Sequence, residues 1–361
     1  MKISILTNSP NCKAVKQIQN SIINRGHKAP ILILDNIKIV ISNNEKGFDS
    51  IYYTKNNKTS KLSKASIGDA ILPRIGSNVP FGAKVIQHIG NMGVFSPISG
   101  TGLLNSYDKM KTLQIASNNG IRTPKTIMGD QVRDVKYIVS QLGLPVIIKF
   151  IHGSGGSGVS ILESMISLKS TLQSFTKLRK PFILQEFIYA NNSDIRAVVI
   201  GEKVVAAYQR TAQGRDEFRS NLTLNGKGKS ISLSETDKAL CIKCAKVLGL
   251  NFCGIDLIKN GKTTYLLEAN ANFGLIGMEI TKINFPDEMI RFLEKKVKSN
   301  ITDSISHPLI TNQYYSQLLP KIIGKRIHYV DRFNKKKSIV IESLNDLEHV
   351  MVNSFRVNFK V

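Results

Sequence analysis

Val146-Ile-Ile-Lys149-Phe-Ile-His152-Gly153-Ser154-Gly155-Gly156-Ser157-Gly158-Val159 is an apolar strand carrying one lysine, then a loop with four glycines, then a second strand. Glycine lets backbone N–H groups approach phosphate oxygens without a Cβ in the way, and the lysine adds a point charge. The stretch is neither a Walker loop nor a dinucleotide fingerprint, because a strand and not a helix follows the glycines. By itself it fits either a flexible hairpin or a phosphate-binding loop. The apolar strand that delivers Lys149 favours the phosphate.

Downstream, Gly254-Ile-Asp256-Leu-Ile and Tyr265-Leu-Leu-Glu268-Ala-Asn270-Ala-Asn272 flank Asn260-Gly261, a strong hairpin signal. Acids inside apolar strands are costly to bury unless they are paired or bind a cation. Asp256, Glu268 and Asn270 offer oxygen ligands only, which suits Mg²⁺ held together with nucleotide phosphates; pairing with nearby Lys or Arg is the alternative. A strict two-residue Asn260-Gly261 turn would leave Glu268 on the face opposite Asp256. The metal reading therefore requires a three-residue connection through Lys262 or an equivalent bulge. Between the two motifs lie Asp194-Ile-Arg196 and Gln209-Arg210…Glu217-Phe-Arg219-Ser-Asn221, whose arginine forks suit phosphate and carboxylate. Upstream, Leu72-Pro73-Arg74-Ile-Gly76 falls at the end of a predicted parallel strand, where ligands of open α/β sheets bind, so Arg74 is placed to meet an acidic substrate.

Around these motifs the chain alternates strand and helix at first. Lys2–Leu6, Ala29–Leu34 and Ala70–Pro73 read as strands; 12–25, 77–90 and 106–119 read as helices. This pattern implies a parallel sheet. Helices at 132–141 and 165–178 follow. After Pro181, strands at 182–187, 195–200, 203–210, 252–258 and 263–268 are joined mainly by short turns around one long helix at 233–250. The predicted organisation is a parallel α/β domain over 1–96, two α+β subdomains over 97–184 and 185–297, and a basic α+β extension over 298–361. In the extension, strands are expected at 325–332, 337–342 and 355–361, with a helix at 344–352. From Lys321 onward nine Lys and Arg stand against four Asp and Glu.

Composition narrows the class. The 361 residues suffice for two or three cores. No apolar run reaches the roughly 20 residues that cross a bilayer, and the N-terminal apolar stretch is too short for a signal peptide. A cytoplasmic protein without a membrane partner is expected. The net charge of +24 favours anionic partners, although richness in Lys, Asn and Ile is also what AT-biased genomes produce. Cys241 and Cys244 are spaced C-x-x-C, but without a second pair they read as buried helix residues in a reducing compartment.

In this order the motifs resemble the ATP-grasp superfamily, and within it the RimK-type glutamate ligases, over roughly residues 1–297. The resemblance rests on Lys109 in Tyr-Asp-Lys-Met, Val-Ile-Ile-Lys149, the glycine loop, Gln185-Glu186-Phe187-Ile188, Asp194-Ile-Arg196, Phe218-Arg219-Ser-Asn221, Gly254-Ile-Asp256 and Glu268-Ala-Asn270. Leu-Pro-Arg-Ile-Gly76 and Gly-Leu-Ile-Gly-Met-Glu279 add to it. It implies an ATP-grasp fold with a pre-ATP-grasp domain and an ADP-forming ligase that joins an amino acid, glutamate first, to a carboxylate through an acyl-phosphate. Lys109 and Lys149 would contact the phosphates under a loop of Gly153, Ser154, Gly155, Gly156 and Gly158. Gln185, Glu186, Phe187 and Ile188 would line the adenine pocket, with Asp194 near the ribose. Asp256, Glu268 and Asn270 would hold two Mg²⁺, with Mn²⁺ as a substitute, and Arg210, Arg219 and Asn221 would face the acyl-phosphate. The implied partners are an acidic peptide, protein or small carboxylate plus an amino acid, in a dimer or tetramer. A ligase for a small molecule or carrier protein is the alternative within the class. An RNA- or ribosome-binding protein with a vestigial nucleotide site is the alternative outside it, against which stand the intact metal ligands and the absence of an RNA-binding motif. Three positions depart from the family pattern: Phe273 replaces a proline, Ile276 an acid, and His152 an acid before the glycines.

Overall fold

The computed structural model describes residues 1–41, 50–129, 134–153, 158–213, 227–298, 324, 326–331, 336–340 and 354–358. The chain divides into two compact units, Met1–Val297 and Lys298–Val361.

The first unit opens with β1 (Ile3–Thr7), α1 (Lys13–Asn24), β2 (Ile31–Ile33), β3 (Ile37–Val40), β4 (Ser50–Lys55), β5 (Lys58–Lys61), α2 (Lys64–Ile67), β6 (Ala70–Arg74) and α3 (Val79–Asn91). Strands β2, β1 and β6 form the expected parallel sheet, in that order, with Thr7 beside Ile33 on one side and Arg74 on the other. Every residue of β1 and β6 is buried, as strands covered on both faces must be. Helix α1 contributes Val15, Ile18 and Ile22, one stripe at helical spacing. The antiparallel sheet β3-β4-β5 was not anticipated. Its outer strand is fully exposed and lacks any apolar alternation, and its turn uses Asn56 and Asn57, both at positive φ.

A single helix was expected over 106–119, but two are present: α4 (Gly100–Tyr107) and α5 (Lys109–Asn118). Asp108 separates them and caps α5, its carboxylate accepting from the Lys111 N–H at 2.9 Å. Then come β7 (Thr126–Ile127), α6 (Val135–Leu142), β8 (Val146–Phe150), β9 (Val159–Leu162), α7 (Met165–Lys177) and β10 (Phe182–Glu186). They form an antiparallel sheet β7-β10-β8-β9 with its own core, including Ile138, Ile148, Leu168 and Leu184.

The rest of the unit holds β11 (Ser193–Ile200), β12 (Lys203–Thr211), β13 (Lys227–Ser230), α8 (Glu235–Leu248), β14 (Phe252–Asn260), β15 (Thr263–Asn270), α9 (Gly277–Thr281) and α10 (Phe285–Lys298). The strands make an antiparallel sheet β13-β12-β11-β14-β15. Ala197, Val199, Ile255, Leu257, Leu266 and Ala269 share one face and are fully buried, as are Cys241, Cys244 and Leu248 of α8. Both thiols are free and buried, and burial pushes them up, Cys244 to about 12; the C-x-x-C pair is part of the core. The second unit pairs β16 (Arg326–Asp331) with β17 (Lys336–Val340) on one side and β18 (Ser354–Asn358) on the other. The helix expected at 344–352 lies outside the described residues. Among the described residues no helix is long and apolar enough to cross a membrane.

Candidate active site

The face of the five-stranded sheet opposite α8 is polar because its strands alternate. Asp194 and Arg196 on β11 point to that face. Arg210 lies opposite Asp194, Tyr208 and Asp256 flank Arg196, and Glu268 lies opposite Asp256. A row of charge thus crosses four strands.

The β14–β15 hairpin reaches this arrangement by an indirect route. Asn260 pairs with Thr263, so the turn is Gly261-Lys262 and not Asn260-Gly261. Continued without interruption, that register would set Asp256 against Leu267 and turn Glu268 away. Leu267 instead forms a one-residue bulge, and Asp256 pairs with Glu268 and Gly254 with Asn270. The three oxygen-bearing side chains therefore share a face, as a common cation requires.

Asp256 is 3% exposed. Arg196 grips it with both prongs, Nη2 to Oδ2 at 2.7 Å and Nε to Oδ1, and Arg210 Nη2 lies 3.2 Å from Oδ2. Burial would push this carboxyl up, but the two guanidiniums outweigh it and hold it well below the usual carboxylate range. Arg210 also takes both oxygens of Asp194 at 2.6 Å. Pairing with arginine, the alternative to metal in the sequence, is thus real for Asp256. Glu268 and Asn270 are less enclosed. The Asn270 amide donates to Glu268 Oε1 at 3.0 Å, and Lys109 Nζ lies 3.7 Å from Oε2. Two carboxylates and an amide, with no thiol or imidazole, fit Mg²⁺ and would leave coordination positions for phosphate oxygens.

Facing them is Lys149 on β8, 9% exposed. It has no carboxylate within ion-pair distance among the described residues. Burial pulls its ammonium down to about 8, with Glu268 opposing and Lys109 reinforcing the shift. A buried cation without a counter-ion fits a site completed by phosphate. Lys109 is the first residue of α5; its N–H donates to the Ile151 carbonyl at 3.2 Å and its Nζ to the Gly153 carbonyl at 2.6 Å. The Asp108 break thereby places Lys109 at Gly153, where the glycine-rich stretch begins. Gly158 has φ 73°, and a Cβ there would lie 2.5 Å from the Phe150 ring, so only glycine fits. His152 stacks on Tyr107 with ring centroids 4.3 Å apart. Ser154, Gly155 and Gly156 lie outside the described residues, as do Arg219 and Asn221.

The Gln185–Ile188 segment is the end of β10 and the two residues after it. Gln185 is 2% exposed and donates to Thr126 Oγ1 at 2.9 Å. The Glu186 carboxylate accepts from the Lys125 N–H at 2.7 Å, and Phe187 packs edge-on against Tyr189. Beside it, a cleft of about 480 Å³ is lined by Tyr189, Asn191, Ser193, Asp194, Gln209 and the hairpin tip. A larger cleft of about 620 Å³ between Arg122, Asp237 and Lys262 carries no comparable cluster. Arg74 stands apart at the end of β6, buried, its guanidinium donating to the Phe273 carbonyl at 3.0 Å. Phe273 is core, packed near Phe285, whereas Ile276 is 44% exposed. Arg196, which the sequence offers only as one of several arginine forks suited to phosphate or carboxylate, is the one that grips Asp256. Its spacing two residues after Asp194 was the available signal.

Comparison with known proteins accords with this arrangement. The RimK PreATP-grasp domain matches residues 1–121 and the RimK-like ATP-grasp domain residues 106–293. A "Probable alpha-L-glutamate ligase" of Syntrophotalea carbinolica is 33% identical over 84% of this chain and 98% of its own. One from Histophilus somni is 34% identical over 82% and 100%. Among solved structures, the ATP-grasp ligase PsnB, complexed with a phosphomimetic variant of its minimal precursor, Mg and ADP, superposes with TM-score 0.63 at 16% identity, covering 81% of this chain and 98% of PsnB.

Proposed function

The chain belongs to the RimK-like ATP-grasp family of ADP-forming carboxylate–amine ligases, and on that premise we propose that it adds an amino acid, glutamate in the first instance, to the carboxylate of an acidic peptide or protein. The observation that carries this is a buried Lys149, with no carboxylate within ion-pair distance among the described residues, in electrostatic reach of Glu268 and Asp256 of the Asp256–Glu268–Asn270 cluster. One half suits phosphate and the other the cation that accompanies it. The acceptor carboxylate attacks the γ-phosphate of ATP, giving an acyl-phosphate and ADP; the amine then displaces phosphate and forms the amide. Lys109 and Lys149 hold the phosphates and neutralise charge as it develops. Asp256, Glu268 and Asn270 would hold two Mg²⁺, or Mn²⁺ in their place, supplying further charge neutralisation at the transferred phosphoryl group. Arg210, fixed by Asp194 and reaching Asp256, faces the same centre, and Arg219 and Asn221 are assigned the same role toward the acyl-phosphate. Gln185 to Ile188 take the adenine, with Asp194 near the ribose. Glutamate and a peptide acceptor are supported by the names of the relatives and by the precursor-bound ligase above.

ADP release, measured with peptides ending in Glu, small carboxylates and each amino acid, tests the function. Turnover confined to small acids would move the acceptor to that class, and no turnover with any pair would remove the ligase function.

The state of Lys149 predicts a pH dependence. In the free protein it is charged below about 8 and increasingly neutral above, whereas bound phosphate favours the charged form. ATP affinity, measured from pH 7.5 to 9.5, should fall as pH rises through 8, by up to about tenfold per unit. Lys149→Met should bind more weakly with a flat profile. A flat wild-type profile would remove Lys149 from the phosphate site.

The basic tail is assigned to acceptor binding. A chain ending at Asn300 should keep its ATP affinity but show a raised KM for the acidic acceptor, most visibly at low salt, because such contacts are screened over roughly 8 Å at physiological ionic strength. Unchanged acceptor KM and salt dependence would leave the tail without that role.

A further inference from the structure

Among the described residues, Lys149 and Arg74 are the buried cations with no carboxylate within ion-pair distance. The phosphate site accounts for the first. Arg74 is 8% exposed, and its one hydrogen-bond partner among the described residues is the neutral Phe273 carbonyl. Burying a guanidinium against a single neutral acceptor is costly, and an apolar side chain would pack there at less expense in stability. An anionic ligand makes the arginine useful.

Its surroundings agree. Arg74 ends β6 beside Thr7, the last residue of β1, at the carboxyl edge of the parallel sheet. The loop after β1 leads into α1, whose N-cap, Cys12, makes no side-chain capping bond and neighbours Arg74. The same loop holds an acceptor, Asn8 Oδ1, buried without a partner among the described residues, which suits the ammonium of an amino acid and not its carboxylate, while its amide nitrogen donates to Asp35 at 3.2 Å. Lys13 of α1 lies 3.5 Å from Glu279 of α9, so this corner and the loop after β15 close on each other. Phe273 follows Asn270 by three residues, which span at most about 11 Å. Arg74 is therefore within a small molecule's reach of the phosphate-transfer centre, yet distinct from it.

A ligase that joins a carboxylate to an amino acid must avoid activating the amino acid's own carboxylates. Resting on the ligase function above, we propose that Arg74 and the loop leading into α1 bind a carboxylate of the incoming amino acid and keep it away from the transferred phosphate, so that only the acceptor is activated. The planar guanidinium fork suits a carboxylate in two-pronged contact.

The test uses the full chain loaded with ADP and Mg²⁺, titrated calorimetrically with L-glutamate, glutamine, isoglutamine and then the other amino acids. Arg74→Gln should weaken L-glutamate binding at least tenfold with ADP affinity and melting temperature unmoved, and Arg74→Lys should weaken it less. The amide that binds wild-type protein as poorly as L-glutamate binds the glutamine variant identifies the carboxylate held. In turnover, Arg74→Gln should raise the amino-acid KM and leave the ATP and acceptor KM values alone. Equal binding by variant and wild type, binding of no amino acid by wild type, or a shift in the acceptor KM instead, overturns the proposal. Turnover with an unmoved amino-acid KM removes the pocket and leaves the ligase; Arg74-dependent binding without ADP release does the reverse.

Discussion

Glu268→Gln and Asn270→Ala should each lower ADP release by on the order of a thousandfold while leaving the melting temperature nearly unchanged. The size follows from the several kcal/mol that a bound cation contributes to phosphoryl transfer, with 1.36 kcal/mol for each factor of ten. Little loss of stability is expected because neither side chain is core. Glu268 is only partly buried, with Lys109 as a loose partner at 3.7 Å, and glutamine keeps an oxygen for the Asn270 amide. Nucleotide binding measured without divalent cation should be nearly the same in both variants as in wild type, which separates a metal ligand from a nucleotide contact. Full ADP release by either variant at ordinary Mg²⁺ concentration would falsify the metal assignment.

Arg196→Leu should act mainly on stability. Asp256 is enclosed, and removing one of its two cationic partners leaves a buried carboxylate undercompensated, a loss of about 3 kcal/mol or roughly 6 °C in Tm for a unit of this size. The pH dependence has a definite sign. The arginines hold the Asp256 carboxyl below its ordinary range, so their stabilisation is complete above about pH 4 and is lost as pH falls further. The difference in Tm between wild type and Arg196→Leu should therefore be full at pH 7 and narrow below pH 4. In a double-mutant cycle, Arg196→Leu combined with Asp256→Leu should cost less than the two single changes summed. Strict additivity, or a difference that does not depend on pH, would mean that the two side chains are not coupled as the distances indicate.

Much of the site was legible in the sequence because it is built from runs that carry their own local signal. The Lys149 strand with its glycines, the two strands around Asn260-Gly261, and the acids inside apolar stretches are each recognisable without any partner. The parallel sheet near the N-terminus was legible for the same reason: its buried strands are mostly apolar, and α1 shows one stripe. The sheet β3-β4-β5 was not, because its outer strand has no buried face to leave a pattern.

Tertiary structure decided what depends on a neighbour. Spacing alone cannot show that Leu267 bulges, since an uninterrupted register has the same residues; the packing of Leu257 and Leu266 against α8 on one face and the pairing of Asp256 with Glu268 on the other settle it together. Asp108 interrupts a helical run because its carboxylate satisfies an N–H that a continuous helix would not leave open. Whether Asp256 meets an arginine or stands free, and whether Arg74 meets any acid at all, depends on β11 and on the loop at Phe273, which are 60 and 199 residues distant in sequence. A side chain's charge is written in the sequence. Its solvation and its counter-ions are properties of what the fold brings against it, and these decide which charges are structural and which await a ligand.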